Sequence, residues 1–137
     1  MPSLPRIRRP RSHEIAAVVT RPRVPSELSA AGLTWIHLDA PPKDVAEQLA
    51  ARFGWHPLDV EDILSKRQRP KVDDYVEDGY LFTVLHFPVY DSAVQRLNAA
   101  ELDTFVGPDY LVTLPAVELL PVTRLFQRCY EDHELRV

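Results

Sequence analysis

The stretch LDTFVGPDYLVTL, residues 102–114, decides the fold class of this chain. Two runs of β-prone residues, 102–106 and 110–114, flank the turn tripeptide Gly107-Pro108-Asp109, a pattern that predicts a β-hairpin. Upstream, residues 80–87 are almost continuously apolar, which predicts a strand buried on both faces. We expect the polar stretch between these strands, residues 90–99, to be a solvent-facing turn.

On the amino-terminal side, strand and helix patterns alternate. Residues 33–38, LTWIHL, are rich in aromatic and β-branched side chains and predict a strand. Asp39 is the expected cap of the helix that follows. Apolar residues then recur every four positions and predict a helix over 42–53, ended by Gly54.

A second, shorter helix is predicted to begin at His56-Pro57. Helical periodicity turns Glu61 and Asp62 away from the core, and with Asp59 nearby we expect carboxylates on the exposed side of this helix. Hard divalent cations such as Mg²⁺ prefer such oxygen ligands. Two neighbouring carboxylates cannot complete a shell of about six oxygens, so waters or a second chain would supply the rest. An ordinary solvated acidic face is the alternative.

The remaining patterns complete the predicted fold class. Residues 72–76 predict a short strand, and apolar side chains at helical spacing over 119–130 predict a last helix. Two helices between strands, then a meander, then a helix, predict an α/β fold: a mixed β-sheet with helices packed on it.

The chain has 137 residues, a formal net charge of −4, 45% apolar residues and 26% charged residues. A chain of this length can bury a sizeable core as one domain. The single cysteine, Cys129, cannot form an internal disulfide. The longest unbroken apolar run is 15–19, far below the ~20 residues that cross a bilayer. We therefore expect the chain as given to be soluble and cytosolic.

Residues 1–25 differ from the rest, with six arginines and five prolines against one acid, Glu14. We expect a partly disordered arm, in which residues 14–20 form a short strand, and a folded domain over 26–137. An Arg-rich arm can also bind nucleic acid or anionic lipid by releasing counterions, so a binding module of that kind stays an alternative. No aromatic residue lies among these arginines, and no nucleic-acid partner is expected.

Familiar catalytic motifs do not occur in this sequence. It contains no Gly-rich phosphate loop, no Gly-x-Ser-x-Gly elbow and no His-Glu-x-x-His helix, and it has too little cysteine for a zinc site. His37, His56 and His86 are expected to be structural, because a lone histidine needs a positioned partner to act as a base. We therefore do not expect an enzyme.

Five stretches form a recognisable series: WIHL at 35–38, FGWHPLDVEDIL at 53–64, QRPKV at 68–72, YLFTVL at 80–85 and FVGPDYLVT at 105–113. Together with Tyr75, they resemble the cytoplasmic amino-terminal domain of the CorA family of magnesium and cobalt transporters. The resemblance covers about residues 33–137. Its most specific residues are His56, Pro57, Leu58, Arg69, Pro70 and Lys71.

The resemblance implies an α/β/α sandwich that continues, in the family, into a stalk helix and two membrane helices. It implies a homopentamer at the inner membrane, with this domain on the cytoplasmic face. Mg²⁺, or alternatively Co²⁺, would lie between subunits at the acidic pair matching Glu61 and Asp62. The stalk and membrane helices are absent from this sequence, so we expect a truncated, mainly monomeric domain with weak Mg²⁺ affinity.

Some roles stay open. The zinc-transporting branch of the same family shares the architecture, so Zn²⁺ is an alternative transported ion. Arg69 and Lys71 are expected either to pair with acids such as Asp73 or Asp74 or to be solvated. Tyr75 is expected to be a packing residue rather than a ligand.

Overall fold

A computed structural model describes residues 26–65 and 68–136 of the chain. In order, its elements are β1 (Glu27–Ala30), β2 (Leu33–His37), α1 (Lys43–Phe53), α2 (Pro57–Leu64), β3 (Lys71–Tyr75), β4 (Tyr80–Asp91), β5 (Arg96–Val106), β6 (Tyr110–Pro115), α3 (Leu120–Glu131) and a 3-10 turn (His133–Arg136). The predicted strands and helices from residue 33 onward are confirmed in order and type.

The strands form one six-stranded sheet in the order β1-β2-β6-β5-β4-β3. Strand β2 runs parallel to β6, and the other neighbouring pairs are antiparallel. The predicted hairpin around Gly107 is confirmed, with Val106 opposite Leu111. The sheet is therefore mixed, as the order of elements predicts.

Helices cover both faces of the sheet. Adjacent residues of β2 point to opposite faces. Ile36 packs in the main core cluster with Leu49 of α1, whereas the Trp35 ring lies 5.0 Å from that of Phe126 on α3. The result is a three-layer α/β/α arrangement, with α1 and α2 on one face and α3 on the other.

The hairpin between β4 and β5 is longer than predicted. Residues 90–99 are not a turn, because β4 continues to Asp91 and β5 begins at Arg96, and the ladder pairs Val89 with Asn98. The prediction that this strand is buried on both faces is also wrong, since Leu85 is 42% exposed. Leu85 pairs with Leu102 on the α3 face. On this face, α3 contacts Leu102 of β5 through Val122 and Trp35 of β2 through Phe126.

The prediction that Asp39 caps helix α1 is wrong, because the helix begins too far along the chain for this side chain to cap it. The cap position is Pro42, in an extended conformation and without a side-chain cap hydrogen bond. The two prolines at 41–42 favour extended backbone and separate Asp39 from the first helical turn. Asp39 Oδ1 lies instead 3.6 Å from His37 Nε2. Gly54 ends the helix as predicted, at a φ of 72° that favours glycine.

Strand β1 is absent from the sequence prediction. Its four residues, ELSA, alternate polar and apolar side chains, but the stretch is too short for that pattern to predict a strand, and pairing with β2 holds it in place. The predicted arm over 1–25 and the strand predicted over 14–20 lie outside the described residues. In the described part of the chain, every helix is too short or too polar to span a lipid bilayer.

Candidate metal-binding site

The segment HPL at residues 56–58 starts α2 and fixes it over the sheet. His56 is the cap residue, and its Nδ1 accepts a hydrogen bond from the Leu58 N–H at 3.1 Å. Pro57 occupies the first helical position, where no backbone donor is needed. The His56 N–H donates to the Tyr80 hydroxyl at 2.9 Å, which ties the start of α2 to β4. The predicted helix start is confirmed.

Asp59 is fully buried, and the expectation that it lies on the exposed side of α2 is wrong. The Tyr75 hydroxyl donates to Asp59 Oδ1 at 2.8 Å, and the Tyr80 hydroxyl donates to Oδ2 at 2.6 Å. These two bonds are the physical reason a carboxylate is tolerated against the sheet. Burial, followed by the bond to Asp59, raises the pKa of Tyr75 to about 12.

Asp62 faces β3 and is only partly exposed. Lys71 Nζ lies 2.5 Å from Asp62 Oδ2 and 3.0 Å from Asp73 Oδ2. The hydrogen bond to Asp62 is the largest cause of the raised pKa of Lys71. The expected pairing of Lys71 with Asp73 is confirmed, and its pairing with Asp62 was not expected from the sequence.

Asp59, Asp62 and Asp73 each place a ligand oxygen within 4.8 Å of the others, close enough to hold a metal ion. No ligand is needed to satisfy this cluster, however. Lys71 neutralises part of its charge, and the Tyr75 hydroxyl bonds the buried member. The cluster is therefore a closed polar network that joins α2 to β3.

Glu61 has different surroundings from its neighbour. Its side chain is exposed and lines the open groove of about 800 Å³ between α1 and α2. Lys43 and Glu47 of α1 line the same groove and form an ion pair with each other at 3.9 Å. Glu61 makes no ion pair with the side chains of residues 26–65 or 68–135. The outward orientation predicted for both acids is found for Glu61, whereas Asp62 is half-buried.

Arg69 and Pro70 lie on the exposed connection that leads into β3. Arg69 lines a surface pocket of about 630 Å³ that also contains His86 and Val89. Within the described residues, Arg69 has no ion pair, and the acid-pairing role expected for it belongs to Lys71 alone.

A second pair of carboxylates lies inside the fold. Glu101 and Asp103 are two residues apart on β5 and only 8% and 4% exposed. Both line a cavity of about 270 Å³ beside the end of α2. Asp103 Oδ1 is buried and has no hydrogen-bond partner in the described part of the chain. Burial raises the pKa of Asp103 to about 7, and the negative charges of Glu101 and Asp62 contribute to this shift after burial.

Sequence reasoning did not identify this second pair. The available signal was two acids alternating with apolar residues, with Asp103 inside the strand predicted over 102–106 and Glu101 directly before it. Asp103 lies on the same face of β5 as the fully buried Phe105. An acid on the core face of a strand is an uncommon choice and draws attention to its surroundings.

Comparison with known proteins places these residues in a family context. A family model described as "CorA-like Mg2+ transporter protein" matches residues 30–136. The "Putative metal ion transporter YfjQ" of Bacillus subtilis is 31% identical over 101 residues, which are 74% of this chain and 30% of that protein. The "Cobalt/magnesium transport protein CorA" of Thermotoga maritima is 37% identical over 70 residues, 50% of this chain and 19% of that protein. The chain thus spans less than a third of either relative.

Solved structures share the fold. The soluble domain of CorA from Methanocaldococcus jannaschii superposes with a TM-score of 0.61 at 16% identity, covering 74% of this chain and 38% of that one. The ZntB cytoplasmic domain from Vibrio parahaemolyticus has a TM-score of 0.59 at 12% identity, covering 72% of this chain and 40% of that one.

Proposed function

This chain belongs to the family of CorA-like Mg²⁺ transporters, and we propose that it is the cytosolic, divalent-cation-sensing domain of such a transporter. The carrying observation is the position of Glu61: an exposed carboxylate on α2, next to Asp62, without an ion pair to the side chains of residues 26–65 and 68–135. A solvent-facing carboxylate of this kind is free to ligate a cation at a contact between subunits.

One subunit supplies too few ligands for a tight site. Mg²⁺ requires about six oxygens and keeps several waters. In the proposed assembly, a homopentamer on the cytoplasmic side of the membrane, a neighbouring subunit completes the shell around Glu61 and Asp62. Mg²⁺ is the proposed ion, with Co²⁺ as a substitute, and the isolated domain is expected to bind either weakly.

Lys71 sets the strength of this site. Its ammonium group engages Asp62 Oδ2, so an incoming cation meets a positive charge close to one of its two acidic ligands. This repulsion lowers the affinity. A weak site is what a sensor requires if it is to empty when the ion concentration falls, because a site that is always occupied reports nothing.

Occupancy of the proposed site by Mg²⁺ then biases the assembly towards the state in which the subunits stay together. Carboxylates that face each other across an interface repel, and a bound divalent cation offsets that repulsion only while the subunits remain together. A ligand at a hundred times its dissociation constant stabilises the state that binds it by ~2.7 kcal/mol per site. Loss of Mg²⁺ from several equivalent sites therefore releases the interface.

The test uses the full-length transporter that contains this domain, with limited proteolysis across a titration of Mg²⁺. We expect Mg²⁺ to protect the protein and Glu61→Gln with Asp62→Asn to abolish that protection. The matched control is Glu131→Gln with Asp132→Asn, a second adjacent and exposed acidic pair, which should leave protection intact. Unchanged protection in the Glu61 and Asp62 variant would refute the proposal.

Ion selectivity is measured separately, by uptake of Mg²⁺, Co²⁺ and Zn²⁺ into proteoliposomes that contain the full-length protein. We expect Mg²⁺ and Co²⁺ to be transported. Transport of Zn²⁺ alone would assign the protein to the zinc-transporting alternative while leaving the sensing role of α2 to the proteolysis experiment.

A further inference from the structure

We propose that the cavity between β5, the end of α2 and the segment before α1 is a second divalent-cation site, held by Glu101 and Asp103. This site lies within one subunit. It uses neither Glu61 nor Asp62, and it does not depend on the sensing role proposed for them.

The carrying observation is Asp103 Oδ1. Asp103 is 4% exposed, and this oxygen is buried without a hydrogen-bond partner in the described part of the chain. An unpartnered polar atom is costly in a folded interior, so it indicates a missing partner. Asp103 lines the cavity, so a cation in it would lie beside the carboxylate group that carries this oxygen.

The cavity has room for a cation and its water. Its volume of about 270 Å³ is far above the ~10–15 Å³ that a single water molecule requires. Ser65 adds a hydroxyl group to its lining, and Pro41, Pro42 and Ile63 form part of its apolar wall. Mg²⁺ and similar ions retain several waters when one or two carboxylates bind them. A partly hydrated divalent cation therefore fits the space.

The charge of the lining favours a cation. Glu101 and Asp103 are the charged residues around it in the described part of the chain, and no basic side chain from residues 26–65 or 68–135 lines the cavity. Glu101 Oε1 accepts a hydrogen bond from the Gln68 N–H, and His86 Nε2 lies 3.9 Å from the same oxygen. These contacts fix the Glu101 carboxylate in place, and His86 is its only ion-pair partner among the side chains of residues 26–65 and 68–135.

The backbone holds the two acids at a useful spacing. Residues two apart on a strand point to the same face, about 6.6 Å from each other along the strand. A cation between them can be reached by both carboxylates, either directly or through one water. Because β5 lies inside the sheet between β4 and β6, this spacing is fixed before any ion arrives.

The experiment uses Mn²⁺ as a paramagnetic probe on the ¹⁵N-labelled chain at pH 8. We expect selective broadening of the amide signals of Ser65, Glu101 and Asp103 at low Mn²⁺ concentration, and competition by Mg²⁺. Asp103→Asn should weaken Mn²⁺ binding at least tenfold and Glu101→Gln several-fold. Glu131→Gln, on the exposed surface of α3, is the matched control and should leave binding unchanged.

Two further variants separate the possible outcomes. Glu61→Gln with Asp62→Asn should retain the broadening at Asp103, so a failure of the interface site and a failure of this site are distinguishable.

Alanine replacement of Lys66 and Arg67, which follow α2 in the sequence, tests whether a basic side chain fills the cavity. A tenfold gain of Mn²⁺ affinity in that variant overturns the proposal. Broadening that is absent from the cavity, or unchanged by Asp103→Asn, also overturns it.

Discussion

Lys71 Nζ lies 2.5 Å from Asp62 Oδ2, so a cation belonging to the chain already neutralises one of the two acids on α2. The same ammonium group reaches Asp73 Oδ2 at 3.0 Å. A divalent cation at the site proposed for Glu61 and Asp62 would therefore compete with Lys71 for the same charge. The basic residue determines how much of the local negative potential an external ion can use.

Replacement of Lys71 by methionine should make folding depend on Mg²⁺. Lys71→Met leaves three carboxylates with oxygens within 4.8 Å of one another, and we expect a loss of roughly 1–2 kcal/mol in EDTA for this partly exposed network. Mg²⁺ should restore part of that loss. Urea unfolding with EDTA and with MgCl₂ measures both effects.

The control for this variant is Lys43→Met, which removes an exposed helix ion pair of 3.9 Å. Its expected effect is within about 0.5 kcal/mol, and no dependence on Mg²⁺ should appear. Equal responses to Mg²⁺ in the Lys43 variant and the Lys71 variant would contradict the competition described above.

Tyr80→Phe should destabilise the fold more than Tyr75→Phe. Tyr80 is buried, donates to Asp59 Oδ2 and accepts from the His56 N–H, whereas Tyr75 is partly exposed and donates to Asp59 once. We expect a loss of about 2 kcal/mol for Tyr80→Phe and about 1 kcal/mol for Tyr75→Phe. Equilibrium urea unfolding measures the difference, with Tyr90→Phe as an exposed control. The reverse order would show that Asp59 is not held as described.

Asp103 should make stability fall as the pH rises. Its pKa is about 7 in the folded chain against an ordinary value of 3.8, because of burial and of the charges of Glu101 and Asp62, which Lys71 opposes in part. The folded chain thus holds this proton more tightly than the unfolded chain does. The contribution is complete below about pH 4 and is lost as the pH rises through about 7, for a total of about 4 kcal/mol.

Unfolding in urea at several pH values, in EDTA, measures this slope. Asp103→Asn removes the titrating group while keeping the size of the side chain, so its stability should fall less between pH 4 and pH 8 than that of the original chain. Parallel pH profiles for the two proteins would rule out the raised pKa.

Gly107→Ala should destabilise the hairpin. A Cβ at this position would overlap Tyr110 Cε1. The Tyr110 ring cannot retreat freely, since it is buried, stacks on Phe53 at 4.2 Å and accepts a hydrogen bond from Trp55 Nε1. We expect a loss of about 2 kcal/mol by thermal or urea unfolding. Pro108→Ala, at an exposed turn position, is the control, and an equal loss there would contradict the steric explanation.

Local pattern was sufficient for much of the fold. The hairpin around Gly107 and the helix that Gly54 ends follow from residues within a few positions of each other, and both occur where predicted. Burial along β4 was predicted less well. It depends on where α3 packs on the opposite face of the sheet, and the local sequence pattern of β4 carries no information about that tertiary contact.

The buried acids were harder to predict for a related reason. Asp59 owes its place to Tyr75 and Tyr80, which are 16 and 21 residues away in the sequence. A helical wheel shows only which side of the helix a residue faces. It cannot show that two hydroxyl groups from β3 and β4 lie on that side and donate hydrogen bonds to Asp59. The same applies to Asp103, whose cavity is assembled from four separate parts of the chain.

The parallel pairing of β2 with β6 has a consequence for how the chain folds during its synthesis. His37 and Thr113, which face each other in this pairing, are 76 residues apart. When β2 leaves the ribosome, β6 has not yet been translated, so the β1–β2 pair can join the sheet only after the β3–β6 meander has formed from nearer contacts. We expect folding to be completed late, when the edge of β6 that does not pair with β5 pairs with β2.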